Sequence, residues 1–224
     1  MKKIPKVPLT KNYFLLVFLL SSLSYATRAQ EKSRFDLAEL NKDNKLQKYS
    51  NTKLERISSD AKGINCEGVA WLKDVDFSEG IIEVDLRGKD LMQQSFLGIA
   101  FHGVDSITYD AIYFRPFNFQ SSDSIRRTHA VQYISHPEYG WDNLREAFPG
   151  RYESAVLPVP NPNDWFHARI VVEDSKISVF VNDSETPSLV VEKLNSRKNG
   201  LIGLWSVALA GGFDNLSITK FSEK

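Results

Sequence analysis

Hydrophobic positions in this chain come in short runs, and several alternate with polar ones. The clearest case is Ile81-Ile-Glu-Val-Asp-Leu-Arg87. Ile82, Val84 and Leu86 face one way, and Glu83, Asp85 and Arg87 the other. That period of two is the signature of a half-buried strand. Val69–Leu72, Phe96–Phe101, Ala111–Arg115 and Ala130–Ile134 read as further strands. Trp165–Val172, Ile177–Val181, Ser188–Val191, Leu201–Trp205 and Phe213–Thr219 complete the set. Gly63, Gly80, Gly88, Gly200, Gly211 and Gly212 punctuate it. No segment sustains a 3.6-residue period, although Asp142–Ala147 has room for one helical turn. About ten strands with almost no helix predict an all-β sandwich or barrel.

The two ends of this pattern differ in kind. Lys2, Lys3, Lys6 and Lys11 precede the apolar run Tyr13–Leu20, and Thr27-Arg-Ala29 offers a small-x-small cleavage site. Residues 1–29 therefore read as a secretory signal peptide, and the apolar run is too short for a membrane span. The expected location is exported, periplasmic or extracellular. Residues 30–53 are polar and Lys-rich, with a weak helical hint at Leu37, Leu40 and Leu46, and read as a lead-in. Residues 54–224 then form one domain.

Charge changes once the leader is set aside. The chain has 28 basic and 28 acidic residues, but residues 1–29 hold five basic and no acidic ones. The remaining 195 residues carry about −5. A mildly acidic domain does not advertise a nucleic-acid surface. With 42% hydrophobic and 25% charged residues, the chain has enough apolar content for a folded core. The single cysteine, Cys66, excludes an intrachain disulfide framework, and its apolar surroundings assign it to the core.

Seven segments together carry a family resemblance. They are Glu79–Asp85, Gly98–His102, Asp164–Ile170, Val179–Asn182, Pro187–Val191 and the pair Gly203–Trp205 and Phe213–Leu216. Their spacing over residues 60–221 resembles the concanavalin A-like lectin/glucanase jelly rolls. It is most similar to the secreted bacterial branch with laminin-G-like and 3-keto-disaccharide hydrolase domains. The resemblance implies a two-sheet sandwich and a carbohydrate partner, without fixing a reaction. Calcium occurs in jelly rolls of this kind. Asp110 or Asp214 could supply oxygen ligands, but no dense carboxylate loop supports a metal or other cofactor.

Residues 109–153 are the unusual part. No lysine occurs between Lys89 and Lys176, yet five of the ten arginines after the leader fall within 115–151. Arginine forks grip carboxylates and sulfates, and aromatic faces give sugar rings an apolar platform. Tyr113, Arg115, Tyr133, Trp141, Arg145 and Tyr152 are the expected glycan-binding residues, and an acidic glycan the expected partner. The alternative is that arginine–carboxylate pairs with Asp142, Glu146 and Glu153 merely tie down a long irregular loop, about 135–163. Strand parity puts Tyr113 with Arg115 but leaves open whether Gln132 or Tyr133 lies beside them. Trp205 and Phe213 read as core.

Hydrolysis is the rival function, acting on a glycoside or 3-keto-disaccharide. A glycosidase needs two carboxyl groups about 5–10 Å apart. Glu83 and Asp85 begin like a glucanase motif, but Leu86, Arg87 and Gly88 follow where another glutamate is required. His136, Glu138 and Glu153 remain the catalytic candidates, with nothing in their spacing to pair them. Histidine spacing fits no zinc motif. A structural interaction domain of the cell envelope is the third reading.

Overall fold

The computed structural model describes residues 32–49 and 51–221. The leader expected at residues 1–29 lies outside these. Among the described residues, thirteen strands and four short helices follow one another. β1 (Lys32–Arg34), α1 (Leu37–Lys42), β2 (Leu46–Lys48) and β3 (Lys53–Arg56) come first. β4 (Ile64–Phe77), β5 (Gly80–Arg87), β6 (Ser95–Gly103) and β7 (Tyr109–Phe114) build the centre. Then come α2 (Pro116–Phe119), α3 (Ser124–Arg127), β8 (Val131–His136), α4 (Trp141–Ala147) and β9 (Glu153–Ser154). β10 (Phe166–Val172), β11 (Lys176–Val181), β12 (Leu189–Glu192) and β13 (Gly200–Lys220) close the fold.

All pairings are antiparallel, and two long strands serve both layers of the sandwich. The first half of β13 pairs with β6 and with residues 68–77 of β4. Its second half pairs with β5, β1 and the start of β4. The first sheet thus runs β9-β8-β7-β6-β13-β4-β2, and the second β12-β11-β10-β5-β13-β1. The two runs expected at 201–205 and 213–219 are one strand because the crossing between them is held by hydrogen bonds. Ser206 Oγ donates to the Leu209 carbonyl at 2.7 Å and accepts from Gly211 N–H at 3.2 Å. The register shifts there, between Ser206 and Gly211.

Alternation explains the core. Ile82, Val84 and Leu86 of β5 face inward and are fully buried, as are Ala168, Ile170 and Val172 of β10. They meet the inward residues of the first sheet, for example where Phe114 packs edge-on against Phe166 at 5.1 Å. Cys66 is buried with them, and burial pushes its thiol up to about 12. At that value it stays an inert thiol.

Two segments differ from expectation. Residues 32–48, read as a lead-in, add β1, α1 and β2 to the sandwich. Their few apolar side chains do the anchoring: Leu37 and Leu46 are buried, while the polar positions remain in water. The long stretch 135–163 contains α4 and β9. Leu144 pins α4 to the core, and β9 extends the first sheet by pairing with β8.

Asp110, a candidate calcium ligand from sequence, is committed to an inner network. Tyr133 Oη donates to it at 2.8 Å, Asn195 Nδ2 at 2.6 Å and Arg197 Nη2 at 3.1 Å. His102 Nδ1 lies 3.2 Å away, and its Nε2 lies 2.7 Å from the Ser78 carbonyl. Among the described residues, no group of three or more His, Cys, Asp or Glu side chains is arranged to hold a metal ion.

Candidate functional site

The outer face of the first sheet carries a hollow of about 560 Å³. Its floor follows from strand register. Trp205, Gly98, Tyr113 and Gln132 are paired neighbours across β13, β6, β7 and β8, so their side chains share one face. The next row is Gly203, Ala100, Ala111 and Ile134. Small residues in these rows leave space that Tyr113 and Trp205 close from above. A Cβ on Gly98 would meet the Ile112 carbonyl at 2.0 Å, so that position admits no side chain. Trp205 Nε1 donates to Tyr109 Oη at 3.0 Å, and its ring tilts against Tyr113 with centroids 4.9 Å apart.

Three connections wall the hollow. The β5–β6 loop supplies Met92 and Gln93; the α2–α3 segment supplies Phe117, Asn118, Arg126 and His129; and α4 supplies Trp141 and Arg145. Trp141 and Arg145 are four apart on a helix and so share a face. The guanidinium lies 5.1 Å from the indole centroid. Trp141 is 51% exposed, an uncovered aromatic face at the mouth.

Behind the wall sits Glu153, buried on β9 beside Gln132. Arg145 grips it with both prongs, Nε to Oε1 at 3.0 Å and Nη2 to Oε2 at 2.7 Å. Arg115 Nη1 is 3.8 Å from the same carboxylate, and His129 Nδ1 is 2.8 Å from it, at an angle that makes no hydrogen bond. Burial works against the Glu153 charge, but Arg145, His129 and Arg115 more than offset it and hold the carboxyl below its usual range. Arg115 is a strut. Its guanidinium donates to the His129 carbonyl, Tyr113 Oη and Gln132 Oε1. Burial pushes the Tyr113 hydroxyl up to about 12, so it remains a protonated donor. Burial also lowers His136, at the other end of the hollow, which keeps that ring neutral near pH 7.

The lining contains Arg115, Arg126, Arg145, His129 and His136 and no carboxylate. Three buried side-chain atoms around Arg115 lack a hydrogen-bond partner: Asn118 Oδ1, His129 Nδ1 and Gln132 Nε2. Each such atom costs free energy until something pairs with it.

The expected binding residues divide. Tyr113, Arg115, Trp141 and Arg145 come together here. Tyr133 and Tyr152 do not. Tyr133 has the opposite parity and points into the sandwich toward Asp110. Tyr152 is buried between Tyr133 and Phe148, at 6.0 and 5.7 Å. Glu138 lies outside the lining, and Glu153 stands behind its arginines. Phe96, Phe117, Asn118, Arg126 and His129 were missed, and so was Trp205, expected only as core. A short Arg- and Phe-rich crossover after β7 was the available signal for the α2–α3 wall.

The outer face of the second sheet carries another polar hollow, of about 510 Å³. Asp85 accepts from His167 Nδ1 and from Asn215 Nδ2, both at 2.7 Å. Glu83 lies 3.8 Å from His167 Nε2 and is paired with Lys32. The two carboxylates share a face as alternation requires, but both are committed to these partners.

No protein-family model matches the chain, and no curated protein sequence matches it. Solved structures do match. A Bacillus subtilis protein of unknown function with a galectin-like fold aligns over 88% of this chain and all of its own, at 12% identity and a TM-score of 0.56. Carbohydrate-binding module CBM66 from Bacillus subtilis aligns over 75% of this chain and 92% of its own, at 14% identity and a TM-score of 0.50. At such identities the likeness concerns architecture. The chain is a concanavalin A-like jelly roll.

Proposed function

We propose that this protein is an exported carbohydrate-binding jelly roll whose site is the hollow walled by α2–α3, α4 and the β5–β6 loop. The lining carries the reading: aromatic faces at Trp141, Trp205 and Tyr113 beside three arginines and two histidines, with no carboxylate. Aromatic rings stack on the apolar faces of sugars. The cationic excess favours an acidic glycan. The carbohydrate-binding module among the structural neighbours supports the same class. Export rests on the leader pattern of residues 1–29.

Hydrolysis has weaker support. Glu153, the catalytic candidate beside the lining, is held charged by its cationic neighbours and so makes a poor general acid.

The test is calorimetric titration of the mature protein with neutral and uronic oligosaccharides. Uronic ligands should bind, and Trp141→Ala and Arg126→Ala should each weaken binding about tenfold, roughly 1.4 kcal/mol. Trp141 is exposed and Arg126 is half-buried on a short surface helix, so the fold should survive. Affinity unchanged in both variants would remove the site.

A further inference from the structure

The hollow is not uniform. Toward α4 and the α2–α3 segment it presents the polar set of Arg145, His129 and Asn118. Toward β13 and the β5–β6 loop it presents Met92, Phe96, Phe117 and Val207. Phe96 and Val207 are paired neighbours on β6 and β13, and Phe96 meets Phe117 edge-on at 5.4 Å. Met92 and Val207 are each 46% exposed. Arg126 reaches across the mouth to the Met92 sulfur, which ties this wall to the cationic side.

A bare sugar ring carries hydroxyls on nearly every carbon. Packed against Met92, Phe96, Phe117 and Val207, those hydroxyls would lose water and gain no partner. Contiguous exposed apolar surface of this kind marks a place where something apolar binds.

Resting on the glycan reading above, we infer that the pocket has a second subsite. It takes an apolar substituent, an alkyl, acyl or aryl group, on an acidic sugar held at the arginine end. The sugar's acidic group lies near Arg126 and Arg145, one ring face lies on Trp141, and the substituent lies along the Phe96–Val207 wall. Selectivity then comes from two unlike ends: an acidic group gains charge attraction only at the arginine end, and charged groups are desolvated against Phe96.

Titration with methyl, butyl and phenyl β-D-glucuronide tests this. The butyl and phenyl compounds should bind at least about tenfold tighter than the methyl compound, because each added buried methylene contributes severalfold in affinity. In the variant Val207→Ser that gain should fall at least about threefold, while methyl glucuronide affinity stays within about twofold of the parent. Equal affinity for all three compounds in the parent, or a gain unchanged in Val207→Ser, overturns the apolar subsite and leaves the glycan reading intact. Binding of none of the three overturns both.

Discussion

Replacing Glu153 with glutamine tests the electrostatic frame of the site directly. The carboxylate is 2% exposed, and it faces Arg145, Arg115 and His129 within 4 Å. The amide keeps one acceptor, so Arg145 loses one of its two prongs and all of its opposite charge. Removing one partner of a buried pair costs about 3–5 kcal/mol. Arg145 is 36% exposed and can turn toward water, which recovers part of that. Arg115 is only 6% exposed and cannot. The expected loss is about 2–3 kcal/mol, which lowers Tm by about 5–10 °C in a domain of this size. Thermal unfolding followed by circular dichroism reads it. The pH dependence supplies a second, sharper readout. The folded-state carboxyl is depressed, so its contribution is present above the unfolded value near 4.3, about pH 4, and is lost as pH falls through the folded value. The gap between parent and variant should therefore be full at pH 7 and shrink on acidification below about pH 4. A Tm change under about 1 °C at pH 7, or a gap that stays constant into acid, refutes the argument.

Gly98→Ala should cost at least about 2 kcal/mol and abolish binding, because the new methyl meets the Ile112 carbonyl at 2.0 Å beneath Tyr113; urea unfolding within 0.5 kcal/mol of the parent (roughly the scatter of a neutral change) would show that the backbone yields there. Asp110→Asn leaves His102 and Arg197 without their buried carboxylate and should cost about 3–5 kcal/mol in urea titrations, whereas near-parent stability would mean that the network is neutral. His167 is raised first by its hydrogen bond to Asp85 and then by the charges of Asp85 and Glu83, against some desolvation. Its contribution is fully present below its unfolded value, about pH 6.5, and is lost as pH rises through the folded one. His167→Gln should thus lower Tm more at pH 5.5 than at pH 9 (values either side of about 6.5), and equal shifts at both would contradict the pairing.

Local pattern carried most of the strands. Period two fixes which of Ile82 and Glu83 is buried because adjacent side chains on a strand point to opposite faces, whatever the strand's partners. The same rule joined Tyr113 to Arg115. It failed at Tyr133, where parity within β8 was plain but the register to β7 was not. That register is a long-range quantity, and it puts Gln132, not Tyr133, beside Tyr113. The strands of the lead-in also went unread, since short edge strands with exposed polar side chains look like loop until a partner strand is in place.

The sequence by itself determined the all-β class, the inward stripe of β5 and β10, the core position of Cys66 and the Arg- and aromatic-rich character of residues 109–153. All follow from composition and nearest-neighbour geometry. Tertiary structure alone decided that Glu153 stands behind Arg145, that Arg115 is a strut while Arg126 stays at the mouth, and that Trp205 joins Tyr113 from the far end of the chain. The physical reason is that a pocket is made of side chains from strands and loops brought together by register and crossover. Free donors and spent ones look the same in a sequence until the partners that occupy them are in place.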